Sequence, residues 1–448
     1  MGYDLQWFFF SALSVPAELL FHTHYTLCFW LTVVVAFLFV SPLAAVLVIS
    51  GSVFARLASY GRSPSQLPRY VGEVDVTLGR TYRASTLTSE MPSNNNVTIA
   101  SFKDKLVIAY RKADSHFASP LARLNVATAS PQNLENWEVT WEHHTGEDDL
   151  REMILFEFQG KMFLFFARLE PFKRGFTPRC MQWTCSEDLH VWQKPMDFGR
   201  QSEIVWDVKV DEPEVGNTLV YKVSYIGNHY GAGAECSVLF EQSSDGVVWN
   251  PVGKKSEVYV GGISEVSFAF TPAGDLVAVG RNEDGDRTGF GTQVFRASKG
   301  DLGTWTALGT SLPQRFDSPR LLCIEGDLLL FARFARESYA ATPTWLPFEV
   351  QRVLNLLFYS LLPKGAAVYS LRPPDQEGSF CKQPLSLIRC FEGSHGDTGF
   401  FSVAKPEDSS DWFVANYSSS CHSHAPWIYG QVFATDVYVC RCHVLKRQ

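Results

Sequence analysis

Four tryptophans recur along the chain at nearly equal intervals, and this period constrains the fold more than any other feature. The intervals are 55, 57 and 56 residues, between Trp137, Trp192, Trp249 and Trp305. Each tryptophan closes a short polar segment that opens with a serine. A fixed period of this kind is typical of repeat architectures, in which every unit forms the same supersecondary structure. The sequence therefore predicts a series of similar units instead of one layered domain.

A second element recurs in phase with the tryptophans, namely a short apolar run that ends in arginine. The arginines are Arg111, Arg168, Arg281 and Arg333. A turn rich in Gly, Asp or Lys stands before each run, and another short apolar segment precedes each turn. Such segments, rich in Val, Phe, Tyr and Leu, indicate antiparallel strands. Four strands per unit of this size are typical of propeller blades, so we predict an all-β, six-bladed β-propeller.

The repeats place the propeller at residues 71–448. The six blades are predicted at 94–143, 148–197, 203–256, 262–311, 315–390 and 394–445, and residues 71–90 are expected to return and close the ring. The fifth blade carries an insertion at 337–362, whose apolar spacing predicts a short amphipathic helix. Two prolines argue against its beginning much before Phe348.

The N-terminal region has a different composition. Residues 26–55 contain no charged side chain, and this apolar stretch exceeds the roughly 20 residues needed to span a bilayer. A cleaved signal peptide is less favoured, because its apolar core is shorter and follows a basic stretch. We predict an N-terminal tail at 1–25, a transmembrane helix at 26–55 and a linker at 56–70.

The signals for the topology of this single-pass membrane protein conflict. Arg56, Arg62 and Arg69 follow the span while acidic residues precede it, and the positive-inside rule then places the propeller in the cytosol. Two sequons, at Asn96 and Asn416, predict glycosylation and hence the other side of the membrane. Nine cysteines outside the span point the same way. We predict a lumenal or extracellular propeller, against the charge rule.

Composition and motifs exclude several functions. The net charge is −8 and the chain has no basic run, so nucleic acid is not an expected partner. No nucleotide-binding glycine pattern stands between a predicted strand and a predicted helix. Cys440-Arg-Cys442-His443 is too tightly spaced for a structural zinc site. We therefore predict no metal and no cofactor, and make no prediction of the oligomeric state.

The order of the polar motifs along the chain is similar to that of a known family. Ser243-Ser-Asp-Gly-Val-Val-Trp249 resembles an Asp-box, one residue short of the full motif. The other motifs are Asn94-Asn-Asn-Val-Thr98, Ala109-Tyr-Arg-Lys-Ala-Asp-Ser-His116, Asp149-Leu-Arg-Glu152, Ser264-Glu265, Arg281-Asn-Glu-Asp284, Asp317-Ser-Pro-Arg320, Gly396-Asp-Thr-Gly399 and Asn416-Tyr-Ser418. Over about 94–445 the chain resembles the sialidase-like six-bladed propellers of the BNR-repeat or Asp-box type, proteins often labelled exo-α-sialidases.

The resemblance implies a glycan-directed glycoside hydrolase. A sialidase grips its substrate carboxylate with three arginines, and bidentate guanidinium pairing suits that group. It also uses a tyrosine nucleophile polarised by a glutamate, together with an aspartate as acid/base. Glu265 followed by Arg281 resembles the glutamate–arginine pair of these enzymes. Arg320 stands where another arginine of the triad is expected.

The chain departs from the sialidase pattern at two places. No arginine occurs near 94–96, where the first-blade arginine of a sialidase falls. No tyrosine occurs near 331–333, where the nucleophile falls, and Tyr417, one blade later, is the late candidate for a nucleophile or transition-state stabiliser. These departures favour the alternative function, a non-catalytic carbohydrate-binding or protein-interaction propeller.

Polar side chains at the ends of the predicted inner strands should converge on the propeller axis and form a site able to do acid/base chemistry on a sugar. We predict Glu265, Asp149, Asp397 and Tyr417 as catalytic, with Glu265 as base or nucleophile activator and Asp149 or Asp397 as proton donor. A pair of carboxyls is the other arrangement, with Asp149 or Glu152 facing Glu265 or Asp397. The predicted substrate-binding residues are Arg111, Arg151, Arg281, Arg320, Asn96, Asp114, His116 and Asp317. The predicted partner is a glycan or glycoconjugate substrate.

The repeated residues also have a purely structural interpretation. We predict that the four tryptophans pack between blades. Arg168 and Arg333 are predicted to serve the blade and not the reaction. Glu265 is the strongest candidate, because a carboxylate at the start of the otherwise apolar segment 266–270 has little structural reason to be there.

Overall fold

The computed structural model describes residues 74–446 with short gaps. The gaps are 87, 171–177, 212–217, 228–234, 284, 308–311, 313–314, 336–345, 362–363, 373–384, 408, 420–426 and 432–433. The predicted tail, transmembrane helix and linker lie outside the described residues. Within the described residues, no helix combines the length and apolar character needed to cross a membrane.

The strands form six antiparallel sheets. Strand β1 (Val74–Arg83) opens the chain. Blade 1 contains β2 (Ser93–Phe102), β3 (Lys105–Ala113), β4 (Arg123–Ser130) and β5 (Asn133–His143). Blade 2 contains β6 (Asp149–Phe158), β7 (Lys161–Leu169), β8 (Pro178–Ser186) and β9 (Met196–Phe198). Blade 3 contains β10 (Glu203–Asp211), β11 (Leu219–Ile226), β12 (Cys236–Ser243), β13 (Asn250–Pro251) and β14 (Glu257–Gly261).

The other three blades follow the same plan, and two of them carry a helix. Blade 4 contains β15 (Ile263–Phe270), β16 (Leu276–Asn282), β17 (Gln293–Ser298) and β18 (Asp301–Ala307). Blade 5 contains β19 (Phe316–Ile324), β20 (Asp327–Ala335), helix α1 (Phe348–Leu361), β21 (Lys364–Leu371) and β22 (Leu385–Gly396). Blade 6 contains β23 (Thr398–Ala404), β24 (Trp412–Ser418), helix α2 (Trp427–Gly430) and β25 (Asp436–Lys446).

Blade 6 closes the ring with strands from both ends of the propeller. Its strand order is β23-β24-β25-β1, so the first described strand of the chain pairs with the last. The pairing runs from Val74 opposite Lys446 to Arg83 opposite Tyr438. This closure joins the first and last blades through backbone hydrogen bonds. The prediction of an all-β, six-bladed propeller is confirmed.

The four repeated tryptophans pack at the seams between blades. Trp192 of blade 2 stacks on Trp141 of blade 1, with ring centroids 5.3 Å apart. Its indole N–H donates to the carbonyl of Leu189, three residues earlier. The other three occupy corresponding places at the seams of blades 6 and 1, 2 and 3, and 3 and 4, namely Trp137, Trp249 and Trp305. The sequence period therefore marks one half-buried or buried tryptophan at each of four seams.

The innermost strand of every blade has a β-bulge near its start. The bulged residues are Asn96, Glu152, Trp206, Glu265, Ser318 and Phe400. All of them except Trp206 have a positive φ, between 47° and 54°. Non-glycine residues seldom adopt this conformation, and it is concentrated at functional sites. Because the inner strands surround the axis, the six residues form what we call the axial ring.

Next to the axial ring, side-chain oxygens of four inner strands tie those strands to the following blade. Backbone N–H groups donate to these oxygens in the pairs Ile99–Ser402 (3.0 Å), Leu155–Thr98 (3.2 Å), Leu321–Ser267 (2.8 Å) and Phe268–Asp207 (3.4 Å). An inner strand pairs with a neighbour on one edge only, so its other edge needs acceptors for buried N–H groups. We call these contacts the axial belt.

Helix α1 lies at the end of the propeller where the inner strands begin. It connects the end of β20 to the start of β21, and β20 runs antiparallel to the inner strand β19. The helix begins at Phe348, directly after Pro347, whose carbonyl accepts hydrogen bonds from Val350 and Gln351. The insertion therefore covers the same end of the molecule as the axial ring.

Five cysteines in the described part of the chain are free thiols, namely Cys180, Cys185, Cys323, Cys440 and Cys442.

Ser402→Ala tests the belt at the seam that closes the ring. The change removes the acceptor of the buried Ile99 N–H and should cost about 1–3 kcal/mol of unfolding free energy. Urea unfolding measures the effect. The control is Ser410→Ala, at an exposed position in the turn between β23 and β24. Equal stability of the two variants would contradict the structural role of the belt.

Candidate active site

The sheet registers bring four polar side chains to equivalent positions beside the axial ring. Arg111, Arg281, Arg333 and Tyr417 each pair with the residue just before a bulge, in blades 1, 4, 5 and 6. Arg168 breaks this rule because it pairs with Leu150, one residue out of register, and its guanidinium binds Asp148 at 2.8 Å. The repeated arginines therefore divide into axial ones and a structural one, and Arg333 belongs to the axial group.

Glu152 is a buried carboxyl of the axial ring that forms no ion pair with any described residue. Its side chain is 7% exposed, and its Oε2 atom has no hydrogen-bond partner. Burial raises the pKa of Glu152 to about 8, and the nearby Glu265 adds to the effect while Arg151 opposes it. Glu152 is therefore a protonated acid at neutral pH, able to donate a proton.

Glu265 has a different environment in the same ring. Its Oε1 lies 2.9 Å from Nη1 of Arg281, and its Oε2 accepts a hydrogen bond of 2.8 Å from the backbone N–H of Ser318. Burial raises the pKa of Glu265 above its usual value, and the Arg281 and Arg333 guanidinium groups oppose this shift only in part. The two carboxyls thus differ in their partners. The guanidinium of Arg281 and the backbone N–H of Ser318 hold Glu265 in place, whereas Glu152 has no ion pair with a described residue.

Blade 5 contributes a cluster of cations to the site. Arg315 binds Glu283 and Asp317, each at 2.9 Å, and Arg333 donates to the hydroxyl of Tyr359 and to the carbonyl of Thr398. Burial alone would raise the pKa of Asp317, but Arg315 and Arg333 outweigh it and hold the pKa at about 2. Asp317 is therefore an ionised counter-ion that positions these arginines.

Asp397 links blades 1 and 6 at the edge of the site. It is fully buried, and it accepts hydrogen bonds of 2.8 Å from the hydroxyl of Tyr417 and from Nε2 of Gln431. Nδ1 of His116 lies 2.9 Å from the same carboxylate. Burial and the Asp397 charge raise the pKa of Tyr417 well above its usual value. In this geometry Asp397 holds His116 and Tyr417 in place, and Tyr417 keeps its proton.

Asp149, predicted as the proton donor as an alternative to Asp397, is held in a buried ion-pair network. The residue is fully buried, and it binds Arg111 at 2.6 Å, Arg151 at 2.7 Å and the backbone N–H of Ser119 at 2.7 Å. These partners outweigh burial and hold the pKa of Asp149 well below its usual range. The network therefore favours the ionised carboxylate. Arg111 is wholly buried, and its guanidinium also donates to the carbonyls of Ser115 and Phe117.

Two other predicted substrate-binding residues lie away from the cluster. Arg320 pairs with Asp207 and donates to the carbonyl of Phe401 at 3.1 Å, at the level of the axial belt. Asp114 is exposed and accepts a hydrogen bond from the neighbouring Ser115 N–H. Arg320 stands two positions after the bulged Ser318, so the side chain lies deeper along the axis than the ring.

An aromatic pair belongs to the axial ring. The rings of Trp206 and Phe400, from blades 3 and 6, have centroids 5.3 Å apart. The indole N–H of Trp206 donates to the carbonyl of Pro319 in blade 5 at 3.3 Å. Trp206 of blade 3 thus contacts blades 5 and 6 across the axis.

The two sequons are buried in the folded propeller. Asn96 is 1% exposed and Asn416 is 7% exposed, and Nδ2 of Asn416 donates to Thr398 at 3.2 Å. Neither side chain is open to solvent in this fold, and the glycosylation at both positions stays a prediction. Asn96 belongs to the axial ring.

Sequence reasoning missed several residues of the cluster. They are Glu283, Arg315, Tyr359 and Lys364. One sequence signal could have found Arg315. The position three residues before the bulge holds the predicted site residues Asp149 and Asp397 in blades 2 and 6. Arg315 occupies the same position in blade 5. Tyr359 lies on the insertion helix, and no pattern of the blades applies there.

Comparisons with known proteins identify the fold. No model of a known protein family matches the sequence, and no curated protein matches it. The structure is similar to a protein of unknown function from Dyadobacter fermentans, with a TM-score of 0.54 and 16% identity over 83% of this chain and 99% of that chain.

A solved endosialidase shares the architecture as well. The endosialidase of phage phi92 gives a TM-score of 0.50 at 8% identity, over 83% of this chain and 69% of that chain. The α-L-arabinanase of Penicillium chrysogenum gives 0.48 at 12% identity, over 81% of this chain and 98% of that chain. The resemblance to sialidase-like six-bladed propellers is thus borne out at the level of the fold.

Glu152→Gln should change how stability depends on pH. The folded pKa of about 8 exceeds the ordinary 4.5, so between these values the unfolded chain binds fewer protons and stability falls as pH rises. The glutamine cannot ionise, so at pH 9 the variant should be more stable than the wild type by up to about 3–5 kcal/mol.

Thermal unfolding from pH 5 to pH 9 measures this effect. Glu157→Gln, at the other end of the same strand, should keep the wild-type slope. A Glu152→Gln variant whose melting temperature falls with pH as steeply as that of the wild type would show that Glu152 is not buried in its protonated form.

Proposed function

We propose that the protein is a glycan-directed glycoside hydrolase that acts by acid/base chemistry in the axial pocket. The observation that carries the proposal is the pair of axial-ring carboxyls with contrasting surroundings, Glu152 without a counter-ion and Glu265 fixed by Arg281. Two carboxyls whose environments separate their protonation states are the usual equipment for cleaving a glycosidic bond.

Each carboxyl has a defined role in this mechanism. Glu152 donates its proton to the glycosidic oxygen while the bond between that oxygen and the anomeric carbon breaks, and the electron pair leaves with the oxygen. Glu265 then either attacks the anomeric carbon or takes a proton from the attacking water. Retention or inversion of the anomeric configuration distinguishes the two routes.

The rest of the pocket supplies binding groups. Arg281 and Arg333, each in the second strand of its blade, present guanidinium groups for oxygens of the sugar. The aromatic pair of Trp206 and Phe400 offers an apolar surface for the C–H face of a sugar ring. His116 is more exposed than Asp397, which holds it in place. It adds a neutral imidazole to the site, because burial lowers its pKa.

The membrane anchor at 26–55 is part of the proposal, and the strand directions support one orientation. Strand β1 begins at Val74 beside Lys446, the last residue of β25, whereas the site end of blade 6 holds Thr398 and the start of β25. The linker therefore leaves from the end opposite the pocket, which would face away from the bilayer. Protease protection in sealed vesicles tests the predicted lumenal or extracellular side.

A carbohydrate-binding propeller without activity is the second candidate. It is favoured by the ion pairs that already engage Arg281, Arg315 and Arg333, and by the hydrogen bond that turns the Tyr417 hydroxyl towards Asp397. Under this function the same pocket would hold a glycan without breaking it.

Turnover of a panel of aryl glycosides, sialosides included, tests the proposal on the full-length chain. Glu265→Gln should lower kcat at least about 100-fold on every accepted substrate. Glu152→Gln should do the same for poor leaving groups but much less for dinitrophenyl glycosides, because a good leaving group needs no proton. Glu157→Gln is the matched control and should retain full activity.

The results separate the two candidate functions. Glycan binding in all variants without turnover of any substrate would replace the hydrolase by the binding propeller. Equal losses for Glu152→Gln on good and poor leaving groups would remove Glu152 from the role of general acid.

A further inference from the structure

Three side-chain oxygens of the axial ring are buried without a hydrogen-bond partner among the described residues. They are Oδ1 of Asn96, Oε2 of Glu152 and Oγ of Ser318, in blades 1, 2 and 5. The three residues are between 1% and 7% exposed. A buried polar atom without a partner is destabilising, and native folds contain few of them. Three such oxygens on one ring indicate that a ligand supplies the missing hydrogen bonds.

The backbone of the same three residues is left-handed. Their φ angles are 51°, 54° and 47°, and non-glycine residues keep this conformation mostly where a function requires it. Ser318 also precedes a proline, and the residue before a proline favours an extended backbone. Missing partners and backbone strain therefore coincide at Asn96, Glu152 and Ser318, as expected for residues that contact a ligand.

The Ser318 hydroxyl belongs to a residue that holds one of the proposed catalytic carboxyls. The backbone N–H of Ser318 donates to Oε2 of Glu265 at 2.8 Å. Glu152 lies close enough to Glu265 for the charge of Glu265 to raise its pKa, in addition to the larger effect of burial. A sugar that reaches the two carboxyls would therefore meet the oxygens of the ring.

The arginines beside the ring are already paired with carboxylates at 2.6–3.8 Å. The pairs are Arg281 with Glu265 and Glu283, Arg315 with Glu283 and Asp317, Arg333 with Asp317 and Asp397, and Arg111 and Arg151 with Asp149. A substrate carboxylate could bind these guanidinium groups only by displacing a carboxylate of the protein, and breaking a buried ion pair is strongly destabilising. These arginines therefore do not form a gripping triad for an anionic sugar.

We propose that the axial ring binds a neutral sugar unit, and that Asn96 and Ser318 accept hydrogen bonds from its hydroxyl groups. The proposal rests on the proposed function of the axial pocket and names its substrate class. Sugar hydroxyls donate the hydrogen bonds that the ring oxygens lack, and they add no charge to the ion-paired network. The carboxylate of a sialoside or uronide only accepts hydrogen bonds, so it cannot satisfy these oxygens.

Ser318→Gly tests the contact with little disturbance of the fold. Glycine adopts a φ of 47° without strain, and the backbone N–H that holds Glu265 is kept. The melting temperature should stay close to that of the wild type. The loss of one hydrogen bond should raise the dissociation constant of the preferred neutral glycoside about fivefold.

Ser202→Gly is the matched control for this substitution. Ser202 also has a left-handed backbone, with a φ of 62°, but it lies outside the axial ring. The control should keep the wild-type dissociation constant.

Saturation-transfer NMR on the full-length chain measures binding whether or not the ligand is cleaved. The probes are the methyl glycosides of glucose, galactose, mannose, xylose and arabinose, the methyl uronides of glucose and galactose, and the methyl α-sialoside. At least one neutral glycoside should receive saturation from the protein, whereas the uronides and the sialoside should not.

The outcomes separate the neutral-sugar site from the hydrolase. Binding of no neutral glycoside, preferred binding of a uronide or of the sialoside, or equal dissociation constants for Ser318→Gly and Ser202→Gly overturns the proposal. Binding of a neutral glycoside that Ser318→Gly weakens, together with no turnover of any aryl glycoside, would keep the neutral-sugar site and reject the hydrolase.

Discussion

The structure depends on the way six inner strands are packed around one axis. Each inner strand has only one neighbour within its sheet, and its other edge would leave buried N–H groups without acceptors. The axial belt supplies these acceptors from Thr98, Asp207, Ser267 and Ser402. Because Ser402 reaches from blade 6 to blade 1, the belt supports the same closure as the pairing of β1 with β25. The polar side chains of the axial belt therefore stabilise the fold, whatever their role in a site.

The axial ring uses the same geometry for a different purpose. A bulge in every inner strand turns one side chain out of the regular alternation, and five of these residues have a left-handed backbone. The ring therefore places Asn96, Glu152, Glu265 and Ser318 near one another, although they come from four blades. Ion pairs satisfy the cations beside it, whereas Glu152 is left without one. This unequal distribution of partners is what separates the two carboxyls chemically.

The sequence predicted the fold and part of the site. The tryptophan period corresponds to one aromatic at each of four seams, and the spacing of Glu265 and Arg281 corresponds to an ion pair of 2.9 Å across two neighbouring strands. The role of Asp149 was not predictable, because its partner Arg111 belongs to another blade and is 38 residues away. Tyr359 was missed, since its proximity to Arg333 arises from the path of an insertion that has no counterpart in the other blades. Arg315 was missed although it stands directly before its inner strand, at the position of Asp149 and Asp397 in theirs.

The sequence by itself determined the number and the order of the blades, because strand alternation, turns and seam aromatics are local features that repeat. It also determined which residues stand at the starts of the inner strands. Only the tertiary structure decided which of these became ion pairs, which carboxyl kept its proton and which tyrosine contacts Arg333. The physical reason is that a pKa and an ion pair depend on burial and on distances between blades, and the packing of the whole ring sets both.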